Sequence, residues 1–466
     1  MSTVAVLGGG IGGLGAAYYL SKCPQVTKVI VLESSGRFGG WLWSTRRPDG
    51  AVFEHGPRGI RPAGAVGRNT LNMVEDLGLA DEILPVTYSH VASKNRYLYV
   101  NKQLHRMPSG LGGVVRTVPP FTRPLLLNIA MEILKKRGKE EDESIHSFVS
   151  RRLGQELADI AIDSLCRGVF AGDCRMLSVR SCFPILFNSE QSKGSIVLGM
   201  LLGSGGGPVV PPGRLAQRSA KESWAQWSLI RGVQSLPEAL TEFLQQSGRV
   251  QLHRDEAVTK IRPSGSGWTI HLEDGVLTAD HIISALPAKA LSLALPSSCQ
   301  PIIEQLQDIS TVTVAVVNLE YQGSILPVTD RGLLGVVYDS VPFPEHNRPE
   351  GHTTRLTVMM GGAWFQEAFG DAESVSEETL LARATEAVQT HLGVTSAPSW
   401  SRVIVQRDCI PQYYLGHHRK VESMRSFIKK NNLSLSLIGS SYDGVSVNDV
   451  IFSGRTAVEE LLGTKF

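Results

Sequence analysis

Residues 1–20 read MSTVAVLGGGIGGLGAAYYL, and residues 28–41 read KVIVLESSGRFGGW. Val4, Val6 and Leu7 supply a short buried strand. Gly12 to Leu20 is small and apolar enough for a helix packed on a sheet, and Lys28 to Glu33 is a second strand rich in β-branched residues. Together they predict one parallel βαβ unit. The turn between strand and helix carries Gly8, Gly10 and Gly13 in Gly-x-Gly-x-x-Gly spacing, with Gly9, Ile11 and Gly12 completing it. The first glycine allows the tight turn, the second lets backbone approach a pyrophosphate, and the third lets helix and strand pack closely. The helix N-terminus offers free N–H groups to phosphate. Glu33 ends the second strand twenty residues past Gly13, where an acid holds ribose hydroxyls. Glycine-rich turns alone are common, but this full set predicts a dinucleotide site.

The rest of the chain bounds the problem. Its 466 residues are enough for two or three domains and a large core. Apolar residues make up 42% and charged residues 19%, the balance of a globular chain. Lys plus Arg number 46 against 44 Asp plus Glu, which argues against a general nucleic-acid binder. The six cysteines form no Cys-x-x-Cys pair and read as small buried hydrophobes. No His-Glu-x-x-His spacing occurs, and no metal site is expected. The N-terminus carries neither a signal peptide nor an Arg-rich presequence, so any organelle address is expected within the folded part. No apolar run approaches the length of a membrane span.

Further along, LLLNIAMEILKK and SIHSFVSRRLGQELADIAIDSLC read as helices, and LLGSGGGPVVPPG, 201–213, as a surface loop. Strand character returns from about residue 228. Glu273, Asp274 and Gly275 form a hairpin turn, and TVTVAVVNLEYQG and TTRLTVMMGGAW are strands of a second sheet. LSLSLIGS is a late strand, and DGVSVNDVIFSGRTAVEELL is a loop feeding a helix. The expected class is α/β plus α+β: a discontinuous Rossmann-like cofactor domain (1–90, 228–290 and 430–466), a helical region (91–205) and a mixed-sheet substrate domain (206–227 and 291–429).

The loop after Glu33, with Arg37, Gly39, Gly40 and Trp41, resembles the Glu-x5-Gly-Gly pattern of amine-oxidase-like FAD enzymes. The resemblance implies that this loop passes close to FAD and that Arg37 approaches its phosphates. It also implies that the turn Gly56, Pro57, Arg58 and Gly59 lies along the flavin. Val258 matches the position whose backbone meets the adenine, and Ser440, Val445, Ser446 and Val447 match the closing flavin motif. A helix starting near Val447 would aim its positive end at the flavin pyrimidine, favouring the charge left there on reduction.

Five stretches in the middle, KNRYLYV, DESIHSFVSRRLG, SLCRGVFAGDCRMLSVRSCFP, GVVYDSVPFPE and CIPQYYLGH, sharpen this. They resemble the protoporphyrinogen oxidase family in its animal mitochondrial form, in order along nearly the whole chain. The resemblance implies FAD-dependent removal of six electrons from protoporphyrinogen IX, with O₂ reduced to hydrogen peroxide. It needs no protein nucleophile or base; the site must bind the macrocycle beside the flavin and exclude water. Arg96 matches an arginine that grips a substrate propionate, and Tyr97 an aromatic beside it. Leu165 and Gly168 match positions flanking the macrocycle. Leu356 is a weaker candidate for the apolar wall, since an apolar strand residue is usually core. In one place the chain departs from the family. The connection YQGSILPVTDRGLLGVVYDS is shorter and lacks a Phe-Gly-x-Leu-Val-Pro motif that lies against the substrate ring; Leu333 and Leu334 are candidates to replace it.

The stretch from Val114 to Lys139 sets apolar residues beside Arg116, Arg123, Lys135, Lys136, Arg137 and Lys139. That suits either a solvated helix end or monotopic attachment to an anionic surface. The resemblance favours attachment, at the inner mitochondrial membrane facing the intermembrane space, and implies a homodimer. Two rival readings remain. One is another enzyme of the same fold, such as an amine oxidase with Tyr413 and Tyr414 caging the amine. The other is a flavoprotein impaired by the shortened connection.

Overall fold

The computed structural model describes residues 2–95, 97–100, 103–108, 110–203, 208–323 and 335–466. The opening stretch forms strand β1 (Thr3–Leu7), helix α1 (Ile11–Ser21) and strand β2 (Lys28–Leu32), paired in parallel with Thr3 beside Lys28 and Leu7 beside Leu32. Three more parallel strands complete the sheet. His281–Ser284 lies on the far side of β1, then Leu435–Leu437, and Val250–His253 flanks β2. Strands that meet in this sheet are thus drawn from four separate parts of the chain.

Alternation along β1 divides the core. Val4 and Val6 pack with α1 and the helices Ser235–Gln246 and Val447–Leu462. Ala5 and Leu7 face the other way, onto Ala288, Leu291, Ile302, Leu306, Val421 and Met424. The three-stranded antiparallel sheet Lys260–Ser264, Gly267–His271 and Val276–Ala279 joins that second face. Its last two strands turn over Glu273, Asp274 and Gly275, as the sequence predicted.

The second sheet is antiparallel, in the order Val336–Val337, Thr353–Gly362, Thr311–Gln322, Trp400–Pro411. One face carries Val317, Leu319, Leu356 and Val358 beneath Leu380, Ala384 and Val388 of the helix Glu377–Leu392. The other face, with Asn318, Arg355 and Thr357, turns to the cofactor domain: Asn318 Nδ2 donates to the Glu54 carbonyl at 3.0 Å and Arg355 Nη1 to that of Val52 at 2.8 Å.

Three expectations are corrected by packing. Of the stretch 206–227, the described residues 208–227 do not belong with the second sheet. Leu215, Ala216, Trp224 and Trp227 sit in the cluster of β1 and α1, and Trp224–Leu229 pairs with Ile83–Thr87. The helices Gln300–Gln307 and His417–Lys430 likewise cover the parallel sheet, so the substrate sheet proper spans about 311–411. The long helix expected over SIHSFVSRRLGQELADIAIDSLC breaks at Gly154, whose φ of +103° lies outside helical space. Ile145–Leu153 precedes the break, and a wide turn over Ala158–Ile162 leads into Asp163–Phe170. The region 91–205 also contains a hairpin, Tyr97–Val100 against Gln103–Arg106, between the short helix Val91–Lys94 and the helices that follow. None of the six cysteines is disulfide-bonded, and four are buried.

Candidate functional site

The glycine turn sits at the carboxyl end of β1. Gly8 takes φ +97° and donates its N–H to the Leu32 carbonyl at 2.8 Å. A Cβ on Gly13 would lie 1.9 Å from the Gly8 carbonyl oxygen, so helix and turn can be this close only with glycine there. Gly10 differs: a Cβ there would meet only the Gly40 Cα, at 3.8 Å. The space before its backbone is open, as a pyrophosphate would require. Ile11 and Gly12 begin α1 beside it. The loop after β2 folds back over this turn, with the Gly39 N–H donating to the Gly9 carbonyl at 2.9 Å.

Glu33, expected at the ribose, is itself bonded to the glycine turn. One carboxylate oxygen accepts the Gly9 N–H at 2.7 Å; the other accepts the Ser35 N–H at 2.8 Å. It therefore clamps the turn that it flanks. Val258 is brought close by the bond from the Glu256 N–H to the Glu33 carbonyl, at 2.9 Å. The Arg37 guanidinium donates to the carbonyls of Phe38, Gly40 and Leu42 and so holds the Gly39–Gly40 loop closed beside the glycine turn. Trp41 is exposed, and its carbonyl lies so near Gly56 that a Cβ there would come within 2.2 Å.

The turn Gly56, Pro57, Arg58 and Gly59 is the junction of the two sheets. Arg58 Nη1 donates to Asp339 Oδ1 at 2.8 Å, and its Nη2 is buried with no partner among the described residues. Thr357 donates to Asp339 Oδ2 at 2.6 Å and accepts from Asn318 Nδ2 at 2.8 Å. Asn318 Oδ1 faces His55 Nδ1 at 2.8 Å, and His55 Nε2 faces Thr45 Oγ1 at 2.6 Å. Burial pushes His55 down to about 4, so its ring is neutral and passes this chain on through one donor and one acceptor. Sequence reasoning missed Asn318, Asp339 and Thr357. The only signal was Asn318 itself, one amide in the apolar run TVTVAVVNL.

The closing motif forms as expected. Ser446 caps the helix Val447–Leu462, its Oγ accepting the Asp449 N–H at 3.2 Å. This helix runs parallel to α1: Gly12 abuts Val450 at one end, and the Tyr19 and Phe466 rings lie 4.9 Å apart at the other. Two helix N-termini, with Val445 and Ser446 before one and Gly10 before the other, therefore point to the same end of the sheet. Ser440 lies in the loop between, its carbonyl accepting from the Tyr413 hydroxyl.

On the substrate side, Arg96, Leu333 and Leu334 lie outside the described residues. Tyr97 is close to Tyr338, which follows the strand Val336–Val337. Burial, and then Tyr97, push the Tyr338 hydroxyl above its ordinary range. Leu165 and Gly168 share an exposed face of Asp163–Phe170, and a Cβ on Gly168 would meet nothing within 4 Å. Arg167 of the same helix lies 3.8 Å from the Trp364 ring centroid. Leu356 is corrected: it is fully buried under the helix Glu377–Leu392, on the face turned away from the cofactor domain. Its neighbours Arg355 and Thr357 hold the inward positions because strand side chains alternate. Tyr413 is no amine cage either, being 1% exposed and hydrogen-bonded inward. Asp163, Asp173 and Cys174 bring ligand-type atoms together, but Arg175 lies 3.6 and 3.9 Å from the two carboxylates and balances them.

The family model for flavin containing amine oxidoreductases matches residues 11–462. Human protoporphyrinogen oxidase is 50% identical over 475 aligned positions covering 99% of each chain, and the Bos taurus enzyme 49% over 474. The chain belongs to the protoporphyrinogen oxidases. A crystal structure from Exiguobacterium carrying the same family name superposes with a TM-score of 0.77 at 22% identity, covering 99% of this chain and 98% of that one.

The cofactor of these protoporphyrinogen oxidases is FAD, and the residues here fit it. The open cradle before Gly10 and the unpartnered Arg58 Nη2 are the kind of vacancy and donor that a bound dinucleotide satisfies. Gly8 to Gly13 and the α1 N-terminus would hold the pyrophosphate, and Glu33 the ribose. Val258 would meet the adenine, and Arg58 with the residues around Ser446 the flavin. When bound, FAD supplies hydride acceptance.

Proposed function

We propose that this chain oxidises protoporphyrinogen IX to protoporphyrin IX, three O₂ becoming three hydrogen peroxide. Identity of about half to the human enzyme, end to end, carries this reading. The chain's own part is to seat the macrocycle against the cofactor and keep water out. Gly168 leaves room for a flat ring, Leu165 and Tyr97 flank it, and Arg96 pairs with a propionate. The bridging methylene needs no protein base, because loss of hydride leads towards an aromatic product.

The seat of the enzyme is the mitochondrial inner membrane, on its intermembrane-space side, as a homodimer. Exposed Leu126, Leu127, Met131 and Leu134 support surface attachment, together with Met200, Leu201 and Leu202 of a neighbouring helix. Exposed Lys135, Lys136 and Arg137 lie beside them. Among the described residues no helix is long and apolar enough to cross a membrane. The deciding assay supplies protoporphyrinogen IX in air to FAD-loaded protein and follows porphyrin fluorescence against the autoxidation blank. A yellow protein with no excess rate would overturn the reading.

A further inference from the structure

Tyr413 follows the strand Trp400–Pro411 and is buried where three parts of the molecule meet. Its hydroxyl donates to the Ser440 carbonyl and accepts the Gly444 N–H at 2.9 Å, spanning the loop that leads into the helix Val447–Leu462. Its ring stacks on His417, with centroids 4.1 Å apart and planes 13° from parallel. His417 Nε2 reaches the Tyr442 carbonyl of the same loop at 3.3 Å. The Tyr413 carbonyl in turn accepts the Ser178 N–H of the helical region at 2.8 Å.

The loop has other ties inside its span. Arg425 pairs with Asp443, the Tyr442 N–H reaches the Gly439 carbonyl at 3.3 Å, Ser441 Oγ accepts the Ala288 N–H at 3.2 Å, and the Gly439 N–H donates to Ser453 Oγ at 3.0 Å. Gly444 takes φ +141° and presses on Asp449 in the first turn of the helix, where a Cβ would come within 2.6 Å. The position of this loop, together with the bond from Asn448 Nδ2 to the Arg61 carbonyl at 2.8 Å, therefore sets where the amino end of the helix stands. Removing the Tyr413 hydroxyl would leave a half-buried carbonyl and N–H without their shared partner, which loosens the loop's hold on its place.

We propose that Tyr413 is a positioning residue for the flavin: through Ser440 and Gly444 it fixes the positive end of the helix Val447–Leu462 against the bound ring. This rests on the FAD reading above. A helix N-terminus stabilises the electron-rich reduced ring more than the oxidised one, so its displacement weakens binding of the reduced form more.

The test is Tyr413→Phe in the full chain, which keeps the ring and its stack on His417. FAD affinity is read by flavin fluorescence, and the reduction potential by dye equilibration of the bound flavin. The expected result is weaker FAD binding, with about tenfold more loss for the reduced form, which lowers the two-electron potential by about 30 mV. An unchanged potential with lowered melting temperature would make Tyr413 merely structural and overturn the proposal. If the variant retains too little FAD for a potential, hydrogen exchange on the apoprotein decides. Loss of protection at the Gly444 amide, with the helix beyond Val450 unchanged, supports the role, and unchanged protection refutes it. Failure of the parent protein to bind FAD would instead sink the cofactor reading.

Discussion

Replacing Gly10 by alanine separates cofactor binding from folding. Gly10 has φ −69° and ψ 179°, backbone that alanine adopts without strain. The added methyl would meet only the Gly40 Cα, at 3.8 Å, which is ordinary contact. The apoprotein should therefore keep its stability within about 0.5 kcal/mol, as surface substitutions do. The methyl would stand in the open cradle and hold a phosphate off the backbone N–H groups. Losing one charge-assisted hydrogen bond of that kind costs about 1.5–3 kcal/mol, or roughly 10- to 150-fold in FAD affinity. Gly13→Ala is the contrasting variant. Its methyl lies 1.9 Å from the Gly8 carbonyl oxygen, so the turn and α1 must part before any ligand arrives. That variant should lose several kcal/mol in apo stability, as overpacked cores do. Urea unfolding of the two apoproteins, followed by FAD titration, provides the measurement. Unchanged FAD affinity in Gly10→Ala would refute the reasoning, and so would an apo stability as poor as that of Gly13→Ala.

Burial raises Glu54 to about 7 from 4.5, so the native state holds its proton more tightly than the unfolded chain. Its stabilising effect is whole below pH 4.5 and is lost as pH climbs to 7, about 3 kcal/mol in all. Glu54→Gln keeps an acceptor for the Val233 N–H and should match the parent at pH 5 yet exceed it at pH 8; equal denaturant midpoints at both pH values would contradict this. Gly168→Leu fills open space on the exposed helix face and should raise KM for the porphyrinogen at least tenfold with FAD content unchanged; an unchanged KM removes Gly168 from the substrate wall. Replacing Lys135, Lys136 and Arg137 together by Glu should release the protein from anionic vesicles at about 0.1 M salt, where undiminished binding would place the contact elsewhere.

The βαβ unit was legible because everything that specifies it is local. Gly8 to Gly13 and Glu33 act through turn geometry and a short helix, and the start of the closing helix at Val447 follows from a Ser446 cap within one turn. Strand membership was legible for the same reason, yet strand facing was not. Leu356 and Thr357 are neighbours in one apolar run, and only docking of the helix Glu377–Leu392 decides which of them looks inward. Domain membership of 208–227 failed likewise, because Trp224 and Trp227 choose their sheet through contacts with residues far away in the chain.

By itself, then, the sequence determined the dinucleotide turn, the acid that flanks it, the order of strands and helices, and through its middle motifs the family. Tertiary structure alone decided the chain of polar side chains from His55 through Asn318 and Thr357 to Asp339 and Arg58, and the seat of Tyr413 against Ser440 and Gly444. Such groups are chosen by burial: a polar atom shut away from water must find its partner wherever the fold brings one, and that partner carries no local mark in the sequence.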